Sequence, residues 1–388
     1  VKLRTAATTA ACAIALAGCV RASLDKADAL RGVPREPLGE DRISLKWKFQ
    51  TEDRRIELGP QEFAAATVYD DVAYIGSASG IFFALRATTG EMLWKRSIGA
   101  VGTAPIVFNK TIYIGTMKGT LIALDRRTGD ELWRYQSRGA IEQPPVLTSG
   151  DMLLFSNAES QVVALDATSG KLKWQYKTER PEEYWLRGHA GVAVDGDMVY
   201  TGFANGSLVA FRRDTGSVAW STSLKGDAEK FFDADGTPLV IGDRIYETSA
   251  SGGVFAVDKA TGLVRWRVPF YDVALPSSQG NVGGITSDGK VLYVSVADLG
   301  LYAIDLQGNV LWRVGGHRGG EPGTPVLFHD LVLWSLAEDG LFLANRRTGD
   351  VVEWFDPGDG VSAQPTVTGD GQLLVMSNRS VLYAFDLD

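Results

Sequence analysis

One recurring pattern limits what this chain can fold into more than any other feature. An alanine, an apolar residue and usually a charged one lead into a Thr-Gly turn, and a tryptophan follows ten positions after the alanine. It reads Ala84-Leu85-Arg86…Thr89-Gly90…Trp94, then Ala123-Leu124-Asp125…Thr128-Gly129…Trp133. Ala164…Gly170…Trp174, Ala210…Gly216…Trp220 and Ala256…Gly262…Trp266 follow. Ala303…Gly308…Trp312 is one residue shorter, Ala344…Gly349…Trp354 is the seventh, and an eighth begins at Ala384-Phe385-Asp386. From Ala84 to Ala384 the steps average about 43 residues, a period that marks a repeat architecture.

Each unit contains four short β segments. In the second, Pro105–Phe108, Thr111–Gly115, Thr120–Asp125 and Glu131–Tyr135 alternate or run apolar between turn residues. The Arg126-Arg127-Thr128-Gly129 turn suits a hairpin whose glycine takes a positive φ as a bulge. Four strands in such a period make a propeller blade. A tryptophan on the outer strand of every blade then packs between blades, which explains the whole series without a stripe of ligand-stacking aromatics. The aspartates at 125, 166, 258, 305 and 386 recur with the repeat and cap the turn that follows. The residue after each Trp is never Asp, so the WD-type repeat fits poorly. The last unit lacks its Trp strand, while Ile43-Ser44-Leu45-Lys46-Trp47 is a Trp strand with no unit before it. Joining the two completes an eighth blade from both chain ends and hides two open edges. The expected fold is all-β: a single eight-bladed β-propeller of four-stranded antiparallel blades over residues 41–388.

A formal charge of −8 and a pI near 5.1 argue against nucleic acid, which needs a basic face. The two cysteines, Cys12 and Cys19, both precede the repeats, which excludes a disulfide scaffold or a Cys-based metal site in the body. His189, His317 and His329 are scattered without metal-ligand spacing and read as surface or loop residues. No P-loop, GxSxG or HExxH occurs. At the N-terminus, Lys2 and Arg4 precede an uncharged small-residue run from Ala6 to Leu16, as in a secretory signal, and the run is too short to span a bilayer. It ends in Leu16-Ala17-Gly18-Cys19, which resembles the bacterial lipobox. That resemblance implies a signal peptide over 1–18 and lipid on Cys19. Val20, where an inner-membrane retention signal usually has Asp, favours the periplasmic face of the outer membrane. Residues 19–40, polar with Pro34 and Pro37, read as a lipidated flexible tether.

The repeats resemble the pyrroloquinoline-quinone-type propeller superfamily over residues 41–388. Its dehydrogenases use an adjacent cysteine pair, converging calcium ligands and a catalytic Asp, and this sequence carries no matching set. Lipobox, short tether and eight blades together are similar to the BamB family, lipoproteins of the outer-membrane β-barrel assembly machinery. Tyr184-Trp185-Leu186-Arg187-Gly188 resembles that family's Leu-x-Leu-Arg-Gly loop, departing from it at Tyr184 and Trp185. Phe232-Asp233-Ala234-Asp235-Gly236-Thr237-Pro238 resembles its Asp-x-Asp-x-x-Pro loop. The resemblance implies a non-enzymatic scaffold without cofactor or metal, whose Tyr184, Leu186, Arg187, Asp233 and Asp235 dock on the POTRA domains of BamA. It also implies assistance to nascent outer-membrane proteins as they fold and insert. A periplasmic quinone- or sugar-binding propeller, dehydrogenase-like in chemistry, stays open as an alternative, as does an interaction module for another partner.

Spacing singles out the same region. The distances from each Trp to the next unit's Ala, starting at Trp47, are 37, 29, 31, 36, 36, 37, 32 and 30. The long values after Trp174, Trp220 and Trp266 are consecutive, so three extended connections form a ridge on one face, carrying Leu186, Arg187, Asp233 and Asp235. Loops longer than the scaffold needs commonly hold binding residues.

Overall fold

The computed structural model describes residues 42–52, 61–149, 151–179, 190–225, 233–250, 253–270, 282–297, 299–315 and 320–388. Among these lie thirty-two β-strands arranged as eight separate four-stranded antiparallel sheets. The second blade is typical: β6 (Ile106–Phe108), β7 (Thr111–Gly115), β8 (Thr120–Asp125) and β9 (Glu131–Gln136) pair in chain order. The short first strand is innermost, the two middle strands are almost wholly buried, and the Trp strand forms the outer rim. Exposure alternates along that outer strand because one face rests on the neighbouring blade and the other meets solvent.

The eighth blade closes the ring as the sequence implies. β1 (Ile43–Gln50) pairs antiparallel with β32 (Val381–Leu387), so strands from the two chain ends complete one sheet. A polar latch reinforces the seam where the chain passes from this blade to the first. Fully buried Glu62 accepts a hydrogen bond from Ala78 N at 2.9 Å in the first blade and from Ser380 Oγ at 2.6 Å in the eighth.

The recurring residues work between blades. The repeat alanine lies directly opposite the tryptophan in the paired strands, as in Ala123↔Trp133 and Ala164↔Trp174, where a larger side chain would compete for the ring's space. Each ring then reaches the Thr-Gly turn of the next blade. A Cβ added to Gly90, Gly129, Gly170, Gly216, Gly262 or Gly349 would fall 2.5–2.7 Å from the tryptophan of the preceding blade. Six of the indole N–H groups donate to a backbone carbonyl in that same turn at 2.7–3.2 Å, for example Trp133 Nε1 to Ala167 O at 3.0 Å. The turn carboxylates cap as expected. Asp125 Oδ1 accepts from the backbone N–H groups of Arg127 and Thr128, Asp166 from that of Ser169, Asp258 from that of Thr261, and Asp305 from those of Gln307 and Asn309. Asp386 departs from this pattern, because its turn is absent, and pairs with Lys46 at 2.7 Å instead.

The seventh blade corrects the sequence pattern by one residue. There Leu343 faces Glu353 and Phe342 faces Trp354, so Leu343 and Glu353 occupy the positions held by Ala and Trp elsewhere. Trp354 points to the opposite side of the sheet, stacks on Phe342 and donates to Asp339 O at 3.1 Å. The reason lies in the neighbour. The eighth blade takes its outer strand from the N-terminus and has no Thr-Gly turn to receive a ring. Buried Glu353 instead accepts the backbone N–H of Arg42 at 3.0 Å, at the entry to β1.

Candidate functional site

Five inner strands are preceded by a proline, at Pro105, Pro145, Pro238, Pro325 and Pro365. Proline's missing N–H and fixed φ suit the start of a strand, where the chain turns in from the rim. The few residues ahead of these strands converge on the axis of the ring. Segments from seven of the eight blades enclose an axial cavity of about 210 Å³. Its lining includes Thr103, Glu142, Asp235, Glu321, Ser362 and Gln364, and no Lys, Arg or His among the described residues.

Asp233 and Asp235 both lie on the segment that enters β18 (Leu239–Ile241) in the fifth blade. Small residues let this segment pack closely. Ala234 N donates to Phe203 O at 3.2 Å, and a Cβ on Gly202 would sit 2.5 Å from Ala234 O. A Cβ on Gly236 would meet Thr248 Oγ1 at 2.2 Å, so only glycine fits between Asp235 and Thr237. As a result the two aspartates point inward instead of standing as acceptors on an exposed loop. Asp233 is 1% exposed, and both carboxyl oxygens of Asp235 are sealed from solvent without a hydrogen-bond partner. Burial first, then the charges of Asp233, Glu321 and Glu142, push the Asp235 carboxyl well above the ordinary carboxylate range. Fully buried Glu247, on β19 (Arg244–Ser249), is also pushed up by burial, opposed by a hydrogen bond from Thr248 N and reinforced by Asp235. Both carboxyls therefore hold their protons more tightly than an exposed carboxyl does.

Tyr184, Leu186 and Arg187, Cys19 with its tether, and His189 and His317 lie outside the described residues, as does part of each of the three long connections. His329 sits exposed in a tight turn of the seventh blade with a φ of 48°. Thr103, Glu142, Glu321 and Ser362 were not singled out by motif. The recurring proline just beyond them is the sequence signal that marks them as axial. Among the described residues no group of three or more His, Cys, Asp or Glu is spaced to hold a metal ion.

Comparison with known proteins places this geometry among relatives. The profile of the family described as outer membrane protein assembly factor BamB matches residues 84–307. The crystal structure of BamB from Moraxella catarrhalis is similar with a TM-score of 0.70 at 23% identity, covering 88% of this chain and all of that one. Quinohemoprotein alcohol dehydrogenase from Comamonas testosteroni is similar at 0.69 and 16% identity, covering 89% of this chain and 76% of its own. A europium-containing methanol dehydrogenase reaches 0.68 at 16% identity, covering 92% and 95%. At these identities the structural likenesses establish the propeller alone. Among curated protein sequences none matches.

Proposed function

The chain belongs to the outer membrane protein assembly factor BamB family, and from that premise we propose that it is a non-enzymatic, lipid-anchored scaffold of the β-barrel assembly machinery. It binds the POTRA domains of BamA from the periplasmic face of the outer membrane and assists outer-membrane proteins as they fold and insert. One observation carries the reading: the family match runs through both loop motifs, 184–188 and 232–238, in successive units. Leu186 supplies an apolar anchor and Arg187 a planar fork of five donors, a common composition for an interface hot spot, with Tyr184 beside them. Asp233 and Asp235 contribute from behind. Their carboxyl oxygens are buried, and they belong to the 233–238 segment that follows the second motif's start at Phe232. Lipid on Cys19 and the tether over 19–40 hold the ring close to the membrane that carries BamA.

Copurification tests this reading. The full chain, tagged and extracted with detergent from its own membranes, is expected to bring BamA with it. Recovery without BamA, or turnover of alcohols or aldoses with pyrroloquinoline quinone, calcium and an artificial electron acceptor, would overturn it.

A further inference from the structure

The second loop motif rests over two buried carboxyls. Residues 233–238 are irregular backbone leading into β18, tied to the blades on both sides. Ala234 N donates to Phe203 O at 3.2 Å, and Ala250 N donates to Asp233 O at 2.9 Å. Just beyond these ties the segment lies against β19. A Cβ on Gly236 would meet Glu247 Oε1 at 3.0 Å as well as Thr248 Oγ1 at 2.2 Å. Glu247 is fully buried, belongs to neither loop motif, and sits mid-strand opposite Phe255 of β20 (Gly253–Asp258). Four oxygens here, both of Asp235, Oε2 of Glu247 and Oγ1 of Thr248, are sealed from solvent without a hydrogen-bond partner. Donors around a buried carboxylate are what hold it ionised. Glu247 receives one, from Thr248 N at 3.0 Å, and Asp235 receives none among the described residues.

The surroundings act in the same direction. Burial first, then Asp233 on the segment and Glu321 and Glu142 at the axial cavity, tightens the hold of Asp235 on its proton. Burial and, more weakly, Asp235 do the same for Glu247, against the Thr248 bond. Of the basic side chains on the adjoining strands, Arg244 donates to Leu306 O at 2.9 Å and Arg267 lies over the Phe255 ring.

We propose that Asp235 and Glu247 form a proton-dependent latch on the second loop motif, which keeps residues 233–238 seated while the pair is protonated and releases them when it ionises. An ionised carboxylate in this place has to regain water, and its proton leaves to solvent. β19 cannot yield, because it is laddered to β18 and β20 on both sides. The irregular segment can, so rehydration moves residues 233–238 and not the strand. Glu247 is thus a positioning residue for the docking face, an inference that rests on reading this segment as part of that face.

Hydrogen–deuterium exchange of the full chain, from about pH 5 to about pH 9 and corrected for the intrinsic rate, tests the latch without BamA. Between the ordinary carboxylate pKa and the raised one, protection of residues 233–238 is expected to fall roughly tenfold per pH unit, while β19 and β20 stay protected. Asp235→Asn and Glu247→Gln cannot ionise, so each should flatten that profile and the double variant should abolish it. The latch is overturned if protection of 233–238 in the parent does not change with pH, or if the change survives in the double variant. Titration with the POTRA domains of BamA at both ends of the range then reads the consequence. Binding by the parent should weaken as pH rises, and binding by the double variant should not. A pH-dependent exchange profile with pH-independent binding supports the latch and removes residues 233–238 from the docking face.

Discussion

The contact between each tryptophan and the next blade's glycine can be measured at one junction. Gly170 has a φ of 67°, and a Cβ there would lie 2.6 Å from Cε3 of Trp133. Gly170→Ala therefore carries two costs. The left-handed backbone costs an L-residue about 1 kcal/mol, and forcing the ring aside in a packed junction costs about 1–3 kcal/mol. Displacing the ring also strains the Trp133 Nε1 bond to Ala167 O, so a total of about 3 kcal/mol is expected. Gly196→Ala isolates the first cost, because Gly196 has a φ of 57° and nothing within 4 Å of an added Cβ. It should lose only about 1 kcal/mol. Urea unfolding followed by circular dichroism supplies both values and permits a double-mutant cycle. In a Trp133→Ala background, Gly170→Ala should fall to the cost of Gly196→Ala, giving a coupling of about 2 kcal/mol. Strict additivity of the two substitutions would show that the ring does not rest on this glycine, and the inter-blade account would fail.

Other expectations follow from the same contacts. Removing Val381–Asp388 deletes the strand between β1 and β31 (Gln372–Met376), so the ring should melt well below the parent; an unchanged melting temperature refutes closure by the chain ends. Glu353→Ala leaves the half-buried Arg42 N–H without its acceptor and should cost about 1 kcal/mol in chemical denaturation, a loss that a purely surface role would not produce. Between the ordinary carboxylate pKa and the raised folded values of Asp235 and Glu247, the folded chain binds more protons than the unfolded one. Stability should therefore fall as pH rises above the ordinary carboxylate range, and Asp235→Asn should flatten that slope; melting curves at several pH values decide it. Cys19→Ser should give a folded propeller without lipid, and mass spectrometry that still finds acyl chains would refute the lipobox reading.

The fold was legible because one packing problem is solved again at every blade. Ala, Gly and Trp recur because a ring from one blade, a small residue opposite it and a bare turn on the next must coincide. The seventh unit shows where that signal misleads. Ala344 and Trp354 keep the ten-residue spacing, yet both stand one residue beyond the structural positions of Leu343 and Glu353. The turn Asn345-Arg346-Arg347-Thr348-Gly349-Asp350, aligned on Asp125-Arg126-Arg127-Thr128-Gly129-Asp130, carries the true register. The candidate site was legible only in part. Asp233 and Asp235 were found by motif, but their burial depends on close packing of Ala234 against Gly202 of the fourth blade and of Gly236 against Thr248 of its own blade, which no local pattern records. The axial convergence of Thr103, Glu142, Glu321 and Ser362 follows from ring closure, a relation between residues far apart in the chain.

The central claim is that the ridge carrying Leu186 and Arg187 docks on BamA. Titrating the full chain against the POTRA domains of BamA from the same organism measures it directly. The account expects saturable binding that Leu186→Ala and Arg187→Ala each weaken roughly thirtyfold, with melting temperatures near the parent's. Parent-like binding by both variants, or no binding by the parent, would contradict it.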